Sequence, residues 1–132
     1  MWLLTCLFTF RVVAQPLARV WDWLPAFDAW HSATLSYPWL LFFQILILFV
    51  MSAIAVRFSI GRVRASRPLG MALLCFGGLY SGVMFARLVL GAMLIRGHTW
   101  FDRPLPSIFH LVLASFAIMV GWHHYRAPKA AQ

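Results

Sequence analysis

The sequence predicts an all-α membrane protein, a polytopic transmembrane helix bundle. Three observations carry this. Of 132 residues, 63% are hydrophobic and only 11% are charged. The mean hydropathy is +0.82. Long apolar stretches alternate with short basic or proline-containing connections. A soluble domain of this size has too little interior to hide so much apolar surface, so lipid is the better solvent for most of the chain. No repeat, low-complexity tract or linker divides it, and residues 1–132 are expected to form a single integral membrane domain.

The second, third and fourth apolar stretches are expected to span at residues 38–56, 69–95 and 107–125. The run from Pro38 to Val56 has no charge, Leu69 to Ile95 has only Arg87, and Ser107 to Tyr125 has only histidines. Each has the roughly 20 residues that a bilayer crossing needs. The first stretch, residues 2–15, is apolar except for Arg11, short for a span, and followed by Pro16. It is expected to be either a fourth span or an N-terminal interfacial helix, with the span preferred. It lacks the basic leader and small-residue cleavage site of a signal peptide and is expected to be retained. Residues 16–37 carry Trp21, Trp23 and Trp30 beside Arg19, Asp22 and Asp28. Indole rings favour the headgroup boundary, so this segment is expected to lie at the outer interface.

The connection after the second stretch holds Arg57, Arg62, Arg64 and Arg67. Basic residues favour the cytoplasmic side, which points to a plasma (inner) membrane protein with both termini cytoplasmic if four spans form. Arg126 and Lys129 agree. Asp22, Asp28 and Asp102, the three acids of the chain, then fall on the outer side. The net charge of +8 is spread beside apolar runs, not along an aromatic-studded stripe, which argues against nucleic acid as a partner. Cys6 and Cys75 sit far apart in apolar runs and suggest neither a disulfide nor a metal site.

Polar residues inside the apolar runs are the candidate functional groups. Arg87 is the most expensive of them, at least ~2.5–3.5 kcal/mol at the bilayer centre. Tyr80 precedes it by seven residues, on nearly the same helix face. Together with Gln44, His110 and Asp102 these residues form the expected polar cluster. Gly78, Gly82 and Ala86, spaced by four, are expected to form a packing ridge. No Ser/His/Asp set, phosphate loop or HExxH motif occurs, so no catalytic residue and no metal site is assigned. An enzyme using His110, Asp102 and Arg87 is the least favoured class.

His110 and His124 are separated by about 21 Å along a helix and by about 40° around it. Ser107, Ala114, Ala117 and Gly121 share their face. This arrangement resembles one helix of the di-haem cytochrome b pattern. The resemblance covers that helix alone, and it implies b-type haem on His110 and His124. Partner ligands would have to come from a twofold dimer, or on the outer side from His31 or His98. The more economical reading has no cofactor and treats the small-residue face as a packing seam. On it the chain is a non-catalytic subunit or accessory factor of a membrane assembly, with other membrane subunits or itself as partners besides the lipid bilayer. The alternatives are haem-based electron transfer and a small oligomeric channel or carrier with Arg87 in its path.

Overall fold

A computed structural model describes residues 1–21, 23–26, 30, 36–93 and 104–126. These form four α-helices: α1 (Trp2–Leu17), α2 (Tyr37–Ser59), α3 (Arg67–Met93) and α4 (Pro104–Arg126). No strand occurs among the described residues. The latter three helices are long and apolar enough to cross a membrane. At 16 residues, α1 is about 24 Å long, shorter than a bilayer core of about 30 Å.

Local chemistry explains the ends of these helices. Pro16 does not stop α1 but sits inside its last turn. Beyond it the chain loosens into overlapping turns, with the Ala18 and Val20 N–H groups donating to Ala14 and Leu17 carbonyls, both at 2.9 Å. Pro38 occupies the first turn of α2, where a missing N–H costs nothing. Gly61 ends that helix with φ +66°, a conformation that disfavours any side chain. The Arg62 N–H then reaches back to the Arg57 carbonyl at 3.0 Å and closes the terminus.

Hydrogen bonds and close contacts set the topology. The Trp2 indole N–H donates to Ser59 Oγ at 2.9 Å, which places the start of α1 beside the end of α2. The two helices are therefore antiparallel. Helix α1 also packs on α4, and α4 packs most extensively on α3. The packing order is thus α2, α1, α4, α3. Phe8, Val12, Met51, Phe116 and Val120 form the core toward the arginine-rich connection. Ala14, Leu24, Trp30 and Phe109 form a second core toward the opposite end.

Trp30 differs from the expected interfacial tryptophan. It is buried, stacked on Phe109 at 5.9 Å between ring centroids and edge-on to Phe10 at 6.2 Å. Its indole N–H donates to the Pro25 carbonyl at 2.9 Å, so the polar end is satisfied without water. Trp21 and Trp23 are exposed and stacked on each other at 5.9 Å. Part of the 16–37 segment therefore caps the bundle.

Helices α3 and α4 meet along an antiparallel seam of small residues. A Cβ on Gly70 would lie 2.6 Å from the Tyr125 amide nitrogen and 2.9 Å from the Gly121 carbonyl. A Cβ on Gly77 would lie 3.2 Å from the Ala114 carbonyl. The expected ridge of Gly78, Gly82 and Ala86 is not this seam. Nothing lies within 4 Å of a Cβ built on Gly78 or Gly82, and Ala86 is exposed. One residue of offset is about 100° of rotation, which turns that ridge away from α4.

The seam predicts a sharp contrast between neighbouring glycines. Gly70→Ala should lower the stability of the detergent-solubilised bundle by about 1–3 kcal/mol, the usual cost of overpacking. Gly78→Ala should leave it unchanged or higher. Equal melting temperatures for the two variants would contradict the seam.

Candidate functional site

The inward face of α1 reads Thr5, Phe8, Val12 and Gln15, with Arg11 alongside. This three-to-four spacing places two polar side chains, Arg11 and Gln15, one turn apart against the other helices. Gln15 is fully buried and Arg11 is 5% exposed. The sequence reading assigned neither a role. An i, i+4 polar pair within a buried stripe was the available signal.

The Arg11 guanidinium lies over the Phe109 ring, 5.0 Å from its centroid. Its Nη2 donates to the Trp30 carbonyl at 3.4 Å. Its Nη1 is buried and has no hydrogen-bond partner among the described residues. Across from it on α2, Gln44 is 4% exposed and donates through Nε2 to Gln15 Oε1 at 3.2 Å. This single bond leaves Gln44 Oε1 and Gln15 Nε2 buried and unpaired.

Arg11, Gln44 and His110 line one cavity of about 170 Å³. Its remaining walls are apolar, among them Phe8, Phe43, Ile47, Phe109 and Leu113. The cavity lies between α1, α2 and α4. Leu40, Phe43, Gln44 and Ile47 line it from α2, and Pro106, Phe109, His110 and Leu113 from α4.

His110 joins this cavity to the α3–α4 seam. Its Nδ1 lies 2.6 Å from the Tyr80 hydroxyl. With that hydroxyl donating, the imidazole carries its proton on Nε2. Arg87, two turns beyond Tyr80 on α3, is 5% exposed. Of the expected cluster, the structure joins Tyr80 to His110 and puts Gln44 on the same cavity as His110. Asp102 lies outside the described residues, as do Asp22, Asp28, His31, His98 and Lys129.

His124 sits at the other end of α4. Its Nδ1 accepts the Ser66 N–H at 3.2 Å, just before the start of α3. The ring is also edge-on to Phe58 at 6.2 Å. His123 contacts Phe58 at 4.6 Å. Between His110 and His124 the small-residue face is in contact with α3 through Gly70 and Gly77. Haems held one at His110 and one at His124 on this face would require the seam to open. Among the described residues no three His, Cys, Asp or Glu side chains form a metal-binding group, and Cys6 and Cys75 are exposed thiols.

The arrangement provides one permanently charged donor, an amide and an imidazole at the edge of an apolar cavity. It is suited to binding, since none of these groups is a paired acid and base or an activated nucleophile. No protein-family model, curated protein or solved structure matches the chain.

Proposed function

We propose that the protein is a non-catalytic integral membrane subunit that packs against another membrane protein through α3. The observation that supports this is the open ridge of Gly78, Gly82 and Ala86 on the side of α3 away from α4. Large apolar side chains flank it, including Phe76, Leu79 and Phe85, all exposed. Lipid tails gain little from a row of glycines. A second helix gains close backbone approach and dispersion contact along its length. The partner is therefore a transmembrane helix of a different chain.

The orientation proposed with this reading puts the 57–67 connection in the cytoplasm of a cell bounded by the plasma (inner) membrane, with both termini on the same side. The charge distribution supports it. Arg57, His123, His124 and Arg126 lie in the last turns of α2 and α4, at one end with the remaining arginines of that connection. Arg67 and Arg126 cover the Tyr125 and Trp122 rings at 5.1 and 4.2 Å, an amphipathic belt suited to headgroups.

The orientation is tested with Arg64→Cys in a background where Cys6 and Cys75 are serine. A membrane-impermeant maleimide should label it only after the cells are opened. Labelling of intact cells would reverse the topology. The partner reading is tested by Gly82→Leu. In mild detergent the unaltered protein should migrate in a complex larger than its own mass, and the variant should migrate alone with its melting temperature retained. Migration of the unaltered protein as a monomer would contradict the proposal.

A further inference from the structure

The cavity between α1, α2 and α4 holds an unusual combination of groups. Its walls are mostly apolar, its volume is about 170 Å³, and Arg11, which is buried, is part of its lining. A cavity of that size accommodates a benzene-sized molecule. Arginine does not lose its proton to escape such a site, so the charge remains for a ligand to meet.

We propose that this cavity binds the carboxylate end of a long-chain fatty acid. The Arg11 guanidinium, in the lining of the cavity, is the principal donor to the carboxylate. Guanidinium and carboxylate are matched in shape, and the bond strengthens away from water. Gln44 supplies a second donor. It lines the same cavity one turn from Leu40 and Ile47. His110 Nε2–H, held in that tautomer by Tyr80, is the third. The acyl chain leaves past Phe43, which lines the cavity and is exposed on α2.

Charge and size favour this ligand over others. A quinone ring fits the volume but leaves the guanidinium without a counter-charge. A phosphate monoester brings nearly two negative charges to a single cation. A diacyl phospholipid headgroup is too bulky for the enclosed space. The inference is independent of the α3 ridge, which lies on another side of the bundle, so Gly82→Leu leaves the cavity intact.

The test uses the full chain in a non-ionic maltoside and a photoactivatable palmitate probe. Cross-links should map to the cavity-lining peptides around Phe43 and Phe109. Palmitate should compete at least tenfold better than hexadecanol, hexadecyl phosphate or a short-chain quinone. Arg11→Met should abolish that preference without lowering the melting temperature, while Arg87→Met retains it. Gln44→Leu, which leaves Arg11 in place, should weaken palmitate binding at least threefold. Equal or better competition by the alcohol, the phosphate or the quinone would overturn the proposal. So would cross-links outside the cavity, or unchanged palmitate preference in both the Arg11 and Gln44 variants.

Discussion

The arrangement of the bundle depends on holding the Arg11 guanidinium away from water and lipid headgroups. On insertion scales a central arginine costs about 2.5–3.5 kcal/mol. The Phe109 ring beneath it returns up to about 2 kcal/mol when desolvated, and the Trp30 carbonyl adds a long hydrogen bond. These offset much of the cost. The compensating groups come from α4 and from the segment after α1, so burying Arg11 draws both together. Trp30 then stacks on Phe109 and closes the end of the bundle that a 16-residue helix is too short to reach.

A second constraint acts at the other side of α4. Helices in lipid gain little from hydrophobic burial against each other, so α3 is retained by contact distance. Gly70, Gly77 and Gly121 permit backbone contact with α4 along several turns. Tyr80 and His110 add a hydrogen bond where the seam approaches the cavity. The same histidine therefore faces a packing interface through Nδ1 and a cavity with the rest of its ring. His124, by contrast, ties the chain just before α3 to the end of α4.

Much of this architecture was legible in the sequence because bilayer thickness imposes long apolar runs. The expected spans 38–56, 69–95 and 107–125 fall within a few residues of α2, α3 and α4. Helix faces were harder to read. A helix surrounded by hydrocarbon is apolar all round, so periodicity does not identify the side that meets protein. Gly78, Gly82 and Ala86 form as regular a row as the seam does, yet they face away from α4. Arg87 attracted attention as the lone charge in a long span. Arg11 was visible only as the one charge in a stretch short for a span and followed by Pro16. Continuation of α1 through Pro16 to Leu17 places Arg11 and Gln15 inside, a placement set by contacts with α2, α4 and Trp30 that no local pattern encodes.

The most direct measurement is solid-state NMR of the protein in lipid bilayers, with arginine guanidinium nitrogens and phenylalanine rings isotopically labelled and Arg11 assigned by comparison with Arg11→Met. The account predicts a dipolar contact between the Arg11 guanidinium and an aromatic ring that disappears in Phe109→Leu, with no close approach to lipid phosphorus. A strong coupling of Arg11 nitrogen to lipid phosphorus, with no ring contact, would show that this side chain reaches the headgroups and would contradict the account.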